Sequence, residues 1–129
     1  MLPFSVFLRP GAPIHGQVVY AVRRAVVTGQ LRPGDPFPSV RALSLALKIN
    51  PNTAHKIVAT LTDEGLLVVR PGIGTLVGEV RSSGSAARRA VLDHDSERLV
   101  IEARRAGVSL RELMAAIKRH WSGTLDEEK

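Results

Sequence analysis

The sequence predicts a mostly α-helical protein with one small β-hairpin. Three observations predict this fold: three stretches of apolar residues at helical spacing, then a stretch of β-branched residues, then two more helical stretches. The 129 residues are 44% hydrophobic and 23% charged, which suits a folded soluble protein. A polar stretch of small residues at 80–85 divides the chain into a first part, residues 1–80, and a second part, residues 81–129.

The composition excludes several classes of protein. The absence of Cys excludes disulfide scaffolds, thiol catalysis and cysteine zinc sites. An aromatic content of 4% is too low for a platform that stacks single-stranded bases. No apolar run reaches the ~20 residues of a membrane span and no signal-peptide pattern is seen, so we expect a cytoplasmic protein that does not bind membranes. The net charge of +6 favours a polyanionic partner such as nucleic acid.

Prolines and glycines divide the first part into an arm and three helices. Residues 1–12 contain two prolines and a glycine and are expected to form an extended arm. Residues 13–28 carry apolar residues at helical spacing and predict the first helix. Pro13 suits its first position, and Gly29 suits the residue just past its end.

Two further helices follow a proline-rich loop. The second helix is predicted over roughly 40–47, with Ser39 as its N-cap. The third begins at Pro51, with Asn50 as its N-cap, and ends near Glu64. Because only a tight link separates the two helices, they are a candidate helix-turn-helix.

The third predicted helix has a polar face that could read DNA. Asn52, His55, Lys56 and Ala59 lie together on this face, opposite the apolar stripe. Short side chains allow close approach to the major groove, and hydrogen-bonding groups near the helix start reach base edges. The alternative is an ordinary solvated face, but such a face usually includes acids, and none occurs before Asp63.

A β-hairpin is predicted directly behind this helix. The run 66–70 is rich in β-branched residues, 71–74 is a turn, and 75–77 is a second short run. Three helices followed by a hairpin form a winged helix-turn-helix, mostly α with a small β-hairpin wing. Gly72 and Gly74 would let the main chain of the wing approach DNA phosphates closely.

The second part is predicted to hold two helices, over 86–106 and about 110–121, separated by Gly107. Ser109 and Glu112 have the spacing of a capping box at the start of the second of these helices. Two helices cannot close a core by themselves, so they must pack on another chain or, in the alternative of a monomer, fold back on the first part.

Short punctuating segments of the first part occur in a familiar order and spacing. These segments are Pro13-Ile14, Gly29-Gln30-Leu31, Pro33-Gly34-Asp35, Pro38-Ser39-Val40-Arg41, Asn50-Pro51-Asn52-Thr53, Glu64-Gly65-Leu66 and Gly72-Ile73-Gly74-Thr75. With them, residues 13–78 resemble the DNA-binding domain of GntR-type transcription regulators. The short second part resembles that of the YtrA-like subfamily, in which about two helices serve for dimerisation.

The resemblance implies roles for individual residues. Arg41 would contact phosphate or guanine, and Ser39 would cap its helix and meet a phosphate. The full set of implied DNA-binding residues is Ser39, Arg41, Asn50, Asn52, Thr53, His55, Lys56, Arg70 and Gly72. The apolar residues assigned to dimerisation are Leu92, Leu99, Ala103, Leu110, Leu113, Met114, Ile117 and Trp121. His15 and Ile73 depart from the family, which commonly has Tyr and a basic residue there.

These observations predict a sequence-specific transcription regulator that binds double-stranded operator DNA as a homodimer and acts as a repressor. The alternative is a winged-helix module that binds a protein and has an incidentally basic surface. No catalytic motif is seen, and we expect no enzyme activity, cofactor or metal; the triplet Asp93-His94-Asp95 has side chains that point different ways on a helix. The sequence leaves open whether a small-molecule effector binds as well, and does not identify one.

Overall fold

The computed structural model describes residues 2–79 and 85–126, with side chains up to residue 123. The described residues form two compact units, one on each side of residues 80–84. The predicted boundary stretch is 80–85, and most of it, residues 80–84, lies outside the described residues.

The first unit contains three α-helices: α1 (Ile14–Val27), α2 (Val40–Leu47) and α3 (Pro51–Asp63). The predicted bounds of the three helices are confirmed to within a residue. α3 packs against both α1 and α2. Because α3 contacts α1, α2 and the hairpin strand that follows it, it is the central helix of the unit.

Side-chain caps fix where α2 and α3 begin. The Ser39 hydroxyl accepts a hydrogen bond of 3.1 Å from the Ala42 N–H, and the Asn50 side-chain carbonyl accepts one of 2.8 Å from the Asn52 N–H. Both bonds satisfy N–H groups that the first turn of a helix leaves unpaired. Both predicted caps are thus confirmed.

Lys48 turns the chain between α2 and α3. Its φ of 56° lies in the left-handed region, where it is the only residue besides glycines among the described residues. The turn is closed by a hydrogen bond of 3.0 Å from the Ile49 N–H to the Ser44 carbonyl. This conformation lets α3 start at Pro51, two residues after Ile49, as the tight link predicted.

The hairpin consists of β1 (Leu67–Arg70) and β2 (Gly74–Val77), antiparallel, with Leu67 opposite Val77. A turn closed by an Ile73 N–H to Arg70 carbonyl bond of 3.0 Å joins the strands. Gly72 takes a φ of +78° in that turn, which explains why a glycine stands there.

A third extended segment, which the sequence analysis did not predict, pairs with the free edge of β2. The Gly34 N–H donates to the Val77 carbonyl at 2.8 Å, and the Phe37 N–H donates to the Thr75 carbonyl at 2.9 Å. We predicted only that prolines exclude a helix here. The segment covers the edge of the hairpin and joins it to the helices.

The core of the first unit lies where α1, α2, α3 and β1 meet. Its most completely buried side chains are Val18, Val22, Leu31, Leu43, Ile57, Leu61 and Leu67. The N-terminal arm contributes Phe4, which is buried and stacks on Phe37 with ring centroids 5.7 Å apart. The arm is non-helical, as predicted, and Phe4 anchors it to the core.

The second unit is helical, but its first helix is not uniform. α4 (Ser85–Arg89), a π-helical segment (Ala90–Asp95) and α5 (Ser96–Arg105) follow one another without a break. The prediction of one regular helix over 86–106 was therefore wrong in its middle. A π segment widens the turn and rotates the residues that follow it, so the single apolar stripe we predicted changes direction there.

α6 (Leu110–Asp126) continues past the predicted end near 121. The apolar stripe that guided the prediction stops at Trp121, but helix propagation needs only one further backbone bond per residue and meets no proline. The predicted capping box is confirmed. The Ser109 N–H donates to the Glu112 carboxylate at 2.8 Å, and the Glu112 N–H donates to the Ser109 hydroxyl at 3.1 Å.

Candidate nucleic-acid interface

The two faces of α3 differ sharply in burial. Ala54, Ile57 and Leu61 are completely buried against the rest of the unit. The opposite face presents Asn52, His55, Lys56 and Ala59, all exposed. The helix therefore offers hydrogen-bonding groups and a cation to solvent from a rigid support.

The N-terminal ends of α2 and α3 carry the next group of predicted residues. Ser39, Arg41 and Asn50 are exposed, and Thr53 is half-buried. The Ser39 hydroxyl is already an acceptor in its cap, but its O–H can still donate. Helix N-termini attract anions through their unpaired N–H groups and their dipole, which suits contact with phosphate.

The wing places its two predicted residues at the tip of the hairpin. Arg70 is the last residue of β1, and Gly72 lies in the turn that follows; both are exposed. Ile73 is 74% exposed beside them. The tip thus combines one guanidinium, an uncovered backbone and one apolar side chain.

The electrostatics of the helix-turn-helix are one-sided. Residues 39–62 contain Arg41, Lys48 and Lys56 but no Asp or Glu. All three cations are exposed. A surface of this kind attracts a polyanion without internal ion pairs to break first.

Two side-chain contacts that were not predicted from the sequence join α1 to the third helix. One reaches a residue of α3 itself, and the other reaches the residue directly after α3. His15 Nε2 lies 2.9 Å from the Thr60 hydroxyl. The Arg23 guanidinium donates one hydrogen bond to each carboxylate oxygen of Glu64. The bond from Arg23 Nε to Glu64 Oε1 is 2.9 Å long. These hydrogen bonds lower the pKa of the Glu64 carboxyl, against a smaller opposing effect of burial. The sequence marks Glu64 as the end of the third helix and as part of a family segment, but does not indicate this ion pair, because Arg23 lies 41 residues away.

The residues predicted for dimerisation differ in burial. Leu113 is half-buried, and Ala103 is 9% exposed. Ala103 is thus covered within its own chain, and its carbonyl accepts the Val108 N–H in the turn before α6. The others leave 44–71% of their surface exposed: Leu92, Leu99, Leu110, Met114, Ile117 and Trp121.

Within residues 2–79 and 85–126, no three His, Cys, Asp or Glu side chains come together as metal ligands would. No helix in the same ranges is long and apolar enough to cross a membrane. Among the described residues, the candidates for DNA contact are the exposed surfaces of α2, α3 and the wing.

Comparison with known proteins places this arrangement in a family. The profile described as "Bacterial regulatory proteins, gntR family" matches residues 14–77, which extend from α1 to the end of β2. The HTH-type transcriptional repressor YtrA of Bacillus subtilis (strain 168) is 32% identical over 111 residues, which cover 85% of each chain. The protein belongs to the GntR family. It is a DNA-binding transcriptional regulator of this family and is similar to YtrA, and its relatives are regulators rather than enzymes.

Solved structures agree with this assignment at the level of the fold. A transcriptional antiterminator from Listeria monocytogenes EGD-e superposes with a TM-score of 0.81 at 21% identity, covering 95% of this chain and 92% of that one. YtrA from Sulfolobus acidocaldarius, a GntR-family transcription factor, gives a TM-score of 0.53 at 26% identity, covering 92% and 97%. The prediction of a mostly helical winged-helix fold is confirmed.

Proposed function

We propose that this GntR regulator is a repressor that binds an inverted-repeat operator as a homodimer, with α3 in the major groove. The observation that carries the proposal is the acid-free, exposed face of α3, held on a fully buried opposite face. The sign of regulation is inferred from YtrA of Bacillus subtilis, which is named a repressor. The protein would act in the cytoplasm, together with its operator.

The exposed residues divide into two kinds of contact. Asn52 and His55 carry hydrogen-bonding groups at the start of α3, where a helix entering the major groove meets base edges. Arg41 and Lys56 supply charge for phosphate, and the planar guanidinium of Arg41 can also bind guanine in a bidentate manner. Ser39, Asn50, Thr53, Arg70 and Gly72 flank these residues and would fix the register of the protein on the backbone.

The homodimer is proposed from the apolar surface of the second unit. Trp121 and Leu110 are each 71% exposed, and Ile117 and Met114 lie between them on α6. Water-exposed apolar side chains in such number are costly unless another surface covers them. A second copy of the same two helices offers a self-complementary partner, and two-fold symmetry would then impose an inverted repeat on the operator.

Selection of bound duplexes from a random DNA pool at about 150 mM salt tests the proposal, because that salt screens weak sequence-blind contacts. The proposal predicts enrichment of a short inverted repeat. The double variant Asn52→Ala, His55→Ala should still fold, because both side chains are exposed, and should enrich a different or weaker motif. If folded wild-type protein enriches no DNA motif, the proposal is contradicted, and a module that binds a protein is favoured. Enrichment of a single unrepeated site would contradict the homodimer alone.

A further inference from the structure

A groove of the first unit lies between the N-terminal arm and α1, and no residue of α3 lines it. Its volume is about 680 Å³, within the range of about 300 to 1,000 Å³ typical of small-molecule sites. Among the residues that line it are Phe7, Arg9, Gly16, Gln17, Tyr20 and Arg24. No residue assigned to DNA binding or to dimerisation is among its lining residues.

Side-chain bonds fix the arm that forms one wall of this groove. Gln17 of α1 accepts a hydrogen bond of 2.7 Å from the Arg9 N–H. Its amide group also donates to the carbonyls of Arg9 and Ala12, both at 3.0 Å. Together with the burial of Phe4, these bonds hold the arm at two points. The groove is therefore preformed, which lowers the entropic cost of binding a ligand.

Gly16 lines the groove and adds no side chain to it. It lies inside α1, where glycine lowers helix stability, and its φ is not in the left-handed region that would require a glycine. A Cβ added there would meet nothing within 4 Å, so close packing does not require the glycine either. The effect of Gly16 that the structure does show is free space in the groove.

The lining combines apolar surface with positive charge. Phe7 is 90% exposed and Tyr20 is 65% exposed, which is costly for an aromatic side chain that nothing covers. Two arginines line the same groove, and no Asp or Glu does so among the described residues. Aromatic faces hold an apolar body, and guanidinium groups bind carboxylate or phosphate.

From this combination we propose that the arm groove is a binding site for a small organic anion with an apolar body, with a carboxylate or phosphate as its charged group. The apolar body lies against Phe7 and Tyr20 over Gly16, and the anion faces Arg9. The site does not depend on the proposed operator, and its occupancy can be measured without DNA.

Fluorescence titration of the full chain with 8-anilinonaphthalene-1-sulfonate, an aromatic anion, tests this site. The matched variants are Gly16→Ala, which leaves the groove open, and Gly16→Leu, which fills it. A Cβ at position 16 meets nothing within 4 Å, and alanine and leucine both favour a helix more than glycine does, so both variants should fold; thermal melting of each variant checks this. We expect wild type and Gly16→Ala to bind alike and Gly16→Leu to lose the groove-bound component. If Gly16→Leu binds the probe as well as Gly16→Ala does, the probe lies elsewhere and the proposal is wrong.

Competition and a charge variant test the chemistry of the ligand. Octanoate or octyl phosphate should displace the probe, and the more effective of the two identifies the preferred charged group. Acetate and inorganic phosphate lack the apolar body and should not displace it at the same concentration. Arg9→Gln should weaken probe binding about tenfold or more, because it removes a charge-assisted hydrogen bond. Equal displacement by neutral octanol, or full binding by Arg9→Gln, would contradict an anion site.

Discussion

Arg41 lies in the first turn of α2, exposed and beside the cap of that helix. Replacing it with alanine should weaken operator binding by about 1–3 kcal/mol, or about five- to 150-fold, and leave the melting temperature unchanged. Titration of labelled operator measures the loss. Arg105→Ala is the matched control, because it removes the same charge from an exposed pair with Glu102 that contributes little. Equal affinities of the two variants would show that Arg41 has no specific role.

The backbone conformation of Lys48 leads to a prediction about the stability of the fold. A left-handed backbone costs an ordinary L-residue about 1–2 kcal/mol, and glycine largely avoids this cost. Lys48→Gly should therefore raise the free energy of unfolding by about 0.5–1 kcal/mol relative to Lys48→Ala, which removes the same charge but keeps the Cβ. Urea denaturation at one protein concentration measures the difference. A glycine variant no more stable than the alanine variant would refute this account of the turn.

Among the helices and strands, the features that depend on neighbouring residues could be predicted from the sequence. The bounds of α2 and α3 followed from Ser39 and Asn50, because a cap acts within one turn of its own helix. The exposed face of α3 followed from periodicity in the same way.

Features set by distant partners were not predictable from one sequence. The burial of Phe4 depends on Phe37, which lies 33 residues further along the chain. The pairing of segment 34–37 with β2 also joins residues about 40 apart. The π segment is local, but no residue type marks it, and the apolar spacing around it suggested a regular helix.

The ion pair between Arg23 and Glu64 joins α1 to the end of α3 and predicts a pH dependence. Folding lowers the pKa of the Glu64 carboxyl, so its contribution to stability is complete above the pKa of an unfolded glutamate and is lost as the pH falls through the folded value. Glu64→Gln should cost at most about 1 kcal/mol at pH 7, because the pair is partly exposed. The stability difference from wild type should shrink toward zero under acidic conditions.

Urea denaturation over a series of pH values measures this difference. The double variant Arg23→Gln, Glu64→Gln is the control, and it should be no less stable than either single variant if the two side chains act through each other. A stability difference between wild type and Glu64→Gln that stays constant as the pH falls would contradict the pair as its source.

Operator binding by the whole protein, as proposed, requires a dimer. Ile117→Glu puts a charge in the apolar surface of α6 and should give a monomer by sedimentation equilibrium, whereas Val27→Glu, at an exposed position of α1, should not. If each protomer neutralises about three or four phosphates, a plot of log affinity against log salt concentration has a slope of about −5 to −7 for the wild-type dimer. The monomer should show about half of this slope. A dimeric Ile117→Glu variant would show that the second unit does not form the interface.

Base recognition by α3 in the major groove is the main function proposed for this protein. Methylation interference on the selected operator tests it most directly, because guanine N7 lies in the major groove and adenine N3 in the minor groove. If α3 lies in the major groove, methylated guanine N7 within each half-site should block binding, and methylated adenine N3 in the same half-sites should not. Interference at adenine N3 alone would show that recognition takes place in the minor groove and not through α3 in the major groove.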